Sequence, residues 1–148
     1  MERICSITSF IFGLLFCSAS FLLPLLCDKK DIICPGFMSS PQLVSVLRQA
    51  QVFVFPSLYE GFGIPVLEAM AVGVPVVASD IPALHEVGSD AVSYASMASQ
   101  DLADFILKSI NTVGYRGAKI ADGLERVKEY GWQKTAKLSW DKICVLGE

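Results

Sequence analysis

At 148 residues, 53% of them hydrophobic, the chain is long enough to bury one core and too short for two ordinary domains. Its net charge of -3, with Lys and Arg scattered singly, offers no basic face to follow a phosphate backbone, which excludes a nucleic-acid binder. The five cysteines (Cys5, Cys17, Cys27, Cys34, Cys144) show neither zinc-ligand spacing nor a second ligand type nearby, so they read as small apolar residues, not as a metal site or disulfide framework.

The first 27 residues stand apart. From Ile4 to Cys27 no side chain is charged, with Glu2 and Arg3 before the run and Asp28, Lys29 and Lys30 after it. Such a run suffices to cross a bilayer, which takes about 20 apolar residues. Three readings compete. One is an anchor whose trailing lysines keep the following domain on the cytoplasmic face. Another is a cleaved secretory leader with Ser18-Ala19-Ser20 as its small-residue site. The third is a chain start incidental to the fold, left by truncation of a longer parent. The chain is therefore divided into a hydrophobic segment, 1–27, and a domain, 28–148.

Past Asp31 short apolar runs alternate with helix-length amphipathic stretches, which predicts an α/β domain with βα units around a parallel sheet. "DIICPG" reads as a short strand, and "SSPQLVSVLRQA" as a helix with Ser40 as N-cap and Pro41 in the first helical position. "QVFVFPS" is too uniformly apolar for a half-exposed strand and suits an interior parallel one. The Gly-rich loop "YEGFG" follows, then the helix "PVLEAMAV" ended by Gly73, and the buried strand "VPVVASD". "PALHEVG" predicts a short helix, "AVSYAS" a strand, and "SQDLADFILKSINT" an amphipathic helix stopping before Gly114. The remainder predicts two helices broken at Gly131, with Trp132 and Trp140 packing the last one onto the domain.

One charge is out of place in this pattern. Val66, Leu67, Ala69, Met70, Ala71 and Val72 leave no polar face around Glu68, so its helix should be buried nearly all round. An unpaired buried polar group costs roughly 2–7 kcal/mol, which predicts donors waiting for this carboxylate. With Pro65 opening the helix, Glu68 falls near the first turn, where the helix dipole favours a negative charge. Eight residues earlier lies Glu60, in "EGFG", where Gly61 and Gly63 permit positive φ and close backbone approach. Strand, Gly-rich loop and helix N-terminus together make an anion cradle at the carboxyl edge of the sheet. Carboxylates are acceptors and pair with hydroxyls, so two of them flanking such a cradle suit a nucleotide sugar.

The run "PSLYEGFGIPVLEAMAVGVPVVASD" also resembles the donor-site signature of the retaining glycosyltransferases of the GT-B fold (glycosyl transferases group 1, family 4), with its paired glutamates, Glu60 and Glu68, separated by seven residues. The likeness continues through "PALHEVGSDAVSY" into "YGWQKTA", covering roughly residues 32–140. It implies a Rossmann-like C-terminal, donor-binding half whose first two βα units have no counterpart in this chain. By resemblance, Glu68 binds the ribose hydroxyls, Glu60 acts at the transferred hexose as the catalytic-site carboxylate, and Gly61, Phe62, Gly63 and Ile64 give backbone contacts to sugar and diphosphate. The implied reaction is hexose transfer from a UDP- or GDP-sugar with retention, without a cofactor or metal.

The resemblance leaves a second reading from a different class: a catalytically inactive, membrane-associated module that binds nucleotide sugar or a partner. In the first reading an acceptor-binding domain comes from another chain. His85 is expected to be an ordinary surface residue, and Glu86 to cap its own short helix. Tyr59 and Phe62 suit packing beside a Gly-rich turn as well as ligand contact, and Ser57, Ser79 and Asp80 suit turns as well as ligand.

Overall fold

The computed structural model describes residues 33, 35–96 and 98–146. The hydrophobic segment 1–27, and most of the expected strand in "DIICPG", lie outside the described residues. The element order is α1 (Ser40–Gln49), β1 (Phe53–Phe55), α2 (Ile64–Ala71), β2 (Val76–Ser79), α3 (Pro82–Gly88), a 3-10 turn (Ser89–Ala91) and β3 (Ser93–Ala95). Then follow α4 (Ser99–Asn111), α5 (Val113–Arg126), a second 3-10 turn (Val127–Glu129) and α6 (Trp132–Leu146). Among the described residues no helix is long and apolar enough to cross a membrane.

The strands form a parallel sheet in the order β1-β2-β3, with Phe53 opposite Val76 and Val77 opposite Ser93. Alternation along each strand feeds two cores. Phe53, Phe55, Val76 and Ala78 pack with Val66, Ala69, Met70, Leu84 and Val87 of α2 and α3. Val52, Val54, Val77 and Ala95 face Leu102, Phe105, Ile106 and Ile110 of α4. Helices thus cover both faces, the arrangement in which parallel strands bury both sides and read as continuous apolar runs. The expected α/β, Rossmann-like class is what the chain adopts. One correction concerns β1: among the described residues it pairs only with β2, so it is an outer strand of this sheet although both its faces are buried.

Local signals set most boundaries. Ser39, one residue before the expected cap, opens α1: the Gln42 side-chain oxygen accepts from its backbone N–H at 2.9 Å and from its hydroxyl at 2.8 Å, and Pro41 falls second in the helix. At the end of α2, Gly73 adopts φ 78°. Its N–H donates to Met70 O at 3.0 Å while that of Val74 donates to Ala69 O at 3.1 Å. This pair of bonds closes the helix and lets the chain enter β2 directly.

The helix α5 ties the layers together through its cations. Arg116 donates to Gln51 O just before β1, Lys119 to Val92 O at 3.2 Å beside β3, and Arg126 Nε to Val87 O at 3.0 Å in the last turn of α3. By contrast, α6 buries none of residues 132–144, and Trp132 and Trp140 are 81% and 67% exposed. The expectation that these indoles pack the last helix onto the domain is therefore wrong: the break at Tyr130–Gly131 carries α6 clear of the core. Cys144, on the same helix, is likewise an exposed free thiol and not a packed residue.

Candidate functional site

The loop that leaves β1 at Pro56 and enters α2 at Gly63 lies at the carboxyl edge of the sheet, as do the turns after Ser79 and Ala95. Ser57 organises it. Its hydroxyl lies 2.9 Å from Glu60 Oε1 and 3.0 Å from Tyr59 O, and a single proton is shared between those acceptors. Glu60 is thereby half-buried and oriented by a neighbour three residues away.

Gly63 makes the turn. It is buried, has φ 101° and caps α2, and a Cβ at this position would stand 2.6 Å from Leu84 Cδ2. Only glycine meets both conditions without strain. Gly61 differs from expectation: its φ is not positive and a Cβ there would meet nothing within 4 Å, so neither reason for a glycine applies. Phe62 sets its ring edge-on to Tyr130, with centroids 5.9 Å apart, while Tyr59 and Ile64 face solvent.

Glu68 corrects the sequence reading most sharply. The helix α2 buries Val66, Ala69 and Met70, whereas Ile64, Glu68 and Ala71 share the opposite stripe and are exposed. An apolar composition all round did not mean burial all round, because only one side of this eight-residue helix is covered. Among the described residues the Glu68 carboxylate has no hydrogen-bond or ion-pair partner, so the donors expected for a buried charge are absent. The helix also begins one residue early, at Ile64, which places Glu68 past the first turn and outside most of the dipole's reach. The outcome is a carboxylate whose full acceptor capacity is open.

The neighbouring turn carries a cluster that the sequence did not reveal. His85 Nε2 and Asp80 Oδ1 are 2.6 Å apart, and the His85 ring stacks on Tyr94 with centroids 3.7 Å apart. The Tyr94 hydroxyl lies 2.8 Å from Ser89 O and 3.1 Å from Leu84 O, donating its one proton to these carbonyls. Burial, with the Asp90 carboxylate adding to it, pushes the Tyr94 hydroxyl up to about 12. Glu86 does not cap α3: Ile81 occupies the cap position without a side-chain bond. It is the Glu86 backbone carbonyl that is engaged, by Arg126 at 2.6 Å and by the Tyr130 hydroxyl at 3.1 Å. Arg126 and Tyr130 thus connect the end of α3, through Phe62, to the Gly-rich loop. Their contacts span from about forty to nearly seventy residues of chain, and no local spacing signals them.

With this geometry in hand, comparison with known proteins is decisive. Residues 21–112 match the family described as glycosyl transferases group 1. The chain belongs to that family. Over 99 residues, 66% of this chain, it is 39% identical to the O-antigen chain mannosyltransferase B of Escherichia coli. Over 120 residues, 80% of this chain, it is 32% identical to the serotype-specific mannosyltransferase WbdA of Escherichia coli. A stretch of 103 residues is 33% identical to the D-inositol 3-phosphate glycosyltransferase of Paenarthrobacter aurescens. The matched stretches span 26%, 15% and 25% of those proteins' own lengths. In this glycosyl transferases group 1 chain, Glu60, Gly61, Phe62, Gly63 and Ile64 form one continuous loop and helix entry, and Glu68 follows one turn up the same helix.

Proposed function

We propose that residues 28–148 bind the donor of a glycosyl transfer, a hexose carried on a UDP or GDP diphosphate. The observation that carries this reading is the pairing of an oriented carboxylate with a free one. Glu60 is held by Ser57 on the loop, and Glu68, among the described residues, stands unpartnered on the helix that the loop opens into. In this reading Glu68 accepts hydrogen bonds from the ribose hydroxyls and Glu60 from a hydroxyl of the hexose. The diphosphate lies over the start of α2, where the Ile64 N–H and the positive end of the helix dipole meet it; Pro65 has no N–H and that of Val66 already donates to Gly63 O at 3.0 Å.

Transfer then breaks the bond between the anomeric carbon and the diphosphate oxygen, and the electron pair leaves with the diphosphate. The acceptor hydroxyl forms the new bond on the same face and gives its proton to the departing diphosphate oxygen. The sugar passes through an oxocarbenium-like state, and the charge that builds on the leaving diphosphate is what the α2 terminus stabilises. No metal ion enters this reading. The mannosyltransferase names of its relatives make mannose the first sugar to try.

Calorimetric titration of the chain with UDP- and GDP-hexoses, beside Glu68→Gln, tests the proposal. Saturable binding is expected, unaffected by a chelator and at least about tenfold weaker in the variant, or ~1.4 kcal/mol. Because Glu68 is exposed, the variant should keep the wild-type fold by circular dichroism. Absence of binding by folded wild-type protein, or equal affinity in the variant, would overturn the donor assignment.

A further inference from the structure

We propose that Tyr130 is a positioning residue for the donor: its ring holds the Gly-rich loop in place through Phe62, while its own backbone and hydroxyl are committed to the body of the domain. Its effect on donor affinity rests on the donor reading of that loop; its hold on the loop does not.

The loop has few restraints of its own. Among the described residues, 57–62 make no backbone–backbone hydrogen bond. Ser57 holds Glu60 towards one end, and Leu84 packs over Gly63 at the other. Between them Gly61 has no side chain and open space where one would stand, so nothing local fixes the Gly61–Phe62 peptide. What remains is the Phe62 side chain. Its ring is 41% exposed and meets the Tyr130 ring edge-on, with centroids 5.9 Å apart and planes at 74°, a favoured arrangement for two aromatic quadrupoles.

Tyr130 is far more restrained than the side chain that leans on it. Its N–H donates to Val127 O at 3.1 Å, closing the second 3-10 turn. Its hydroxyl donates to Glu86 O at 3.1 Å and accepts from Arg126 Nη2 at 3.0 Å. The Arg126 guanidinium also lies over the ring, 5.2 Å from its centroid, and is itself bonded to Val87 O. The ring is thus held at its backbone, its hydroxyl and one face, and restraint passes from α3 and α5 into the loop. Where the Phe62 ring rests sets the direction of the two peptides flanking it, which the donor reading places against sugar and diphosphate. A binding group held in its productive place before the ligand arrives costs less to order on binding.

The test measures UDP- and GDP-hexose affinity by calorimetry in the wild type, Tyr130→Phe, Tyr130→Leu, Phe62→Leu and the double leucine variant, beside 15N order parameters of the Gly61 and Phe62 amides in the free proteins. Each single leucine variant should bind about three- to tenfold more weakly, the scale of an aromatic pair, and the double variant no more weakly than the weaker single one. Tyr130→Phe keeps the ring and should stay within about twofold of wild type, even where the lost hydroxyl lowers the thermal midpoint. Amide order should fall in the leucine variants alone. Should Tyr130→Leu fail to fold, Phe62→Leu removes the same contact from an exposed side chain and carries the same expectation. Unchanged affinity in the folded leucine variants, additive losses in the double variant, or an equal loss in Tyr130→Phe would overturn the positioning role. A folded wild type that binds no nucleotide sugar sinks the donor reading, and amide order then decides alone: a fall confined to the leucine variants keeps Tyr130 as the prop of the loop, and unchanged order removes it.

Discussion

At φ 101° Gly63 turns the Gly-rich loop into α2, and Leu84 occupies the space a side chain would need. Replacing it by alanine imposes both a left-handed backbone and a collision, so Gly63→Ala is expected to cost about 1–3 kcal/mol. The cost should appear as a lower urea midpoint with unchanged slope. Gly61→Ala, in the same loop, should stay within about 0.5 kcal/mol, since neither constraint acts there. A Gly61 variant as damaging as the Gly63 one would refute this account of the loop. The two glycines are indistinguishable as letters; only the position of Leu84, twenty-one residues on, separates them. Glu68 teaches a related lesson. Its neighbours announce a buried helix, but which stripe of a short apolar helix is covered depends on elements far along the chain.

Among the elements, α3 is the one most dependent on others. It is seven residues long, too short to persist alone, and the carbonyls of Glu86 and Val87 near its end share one guanidinium, with the Tyr130 hydroxyl also on Glu86 O. Arg126 Nε reaches Val87 O at 3.0 Å and the same fork reaches Glu86 O at 2.6 Å, a cation placed at the negative end of the helix. Arg126→Lys keeps the charge and loses the fork, so about 1.5–3 kcal/mol of stability should go with it, read as a lower thermal midpoint. A midpoint preserved in the lysine variant would show that charge alone suffices. The strand–helix alternation from β1 to α4 was legible because its periods change cleanly from buried runs to amphipathic stretches. The Arg126 and Tyr130 contacts were not legible, since the residues they join lie from about forty to nearly seventy positions apart. The exposure of α6 was missed because its tryptophans look like packing residues unless one sees that nothing among the described residues lies opposite.

For the molecule as a whole, Tyr94 couples stability to pH. Its hydroxyl titrates near 10 in an unfolded chain and is pushed to about 12 by burial in the fold. A raised folded value means that the stabilisation is complete below pH 10 and is lost as pH climbs through about 12. Denaturant midpoints should therefore decline between about pH 10 and 12 in the wild type and decline less in Tyr94→Phe, a comparison that isolates this hydroxyl from the rest of the molecule. An identical decline in both proteins would assign the alkaline loss to other groups.

The cations of α5 add an ordering in time. Arg116, Lys119 and Arg126 satisfy carbonyls beside β1, β3 and the end of α3, yet all three follow those elements in the chain. During synthesis at ~5–20 residues per second, Arg126 emerges some thirty residues after β3 ends, about 2–6 s later. Until Arg126 is made the Val87 carbonyl lacks its guanidinium, and the nascent sheet lacks the last of the bonds that fix its flanks. Ribosome stalling within α5 would therefore leave a collapsed but unlatched chain, the stage at which a chaperone has most to hold.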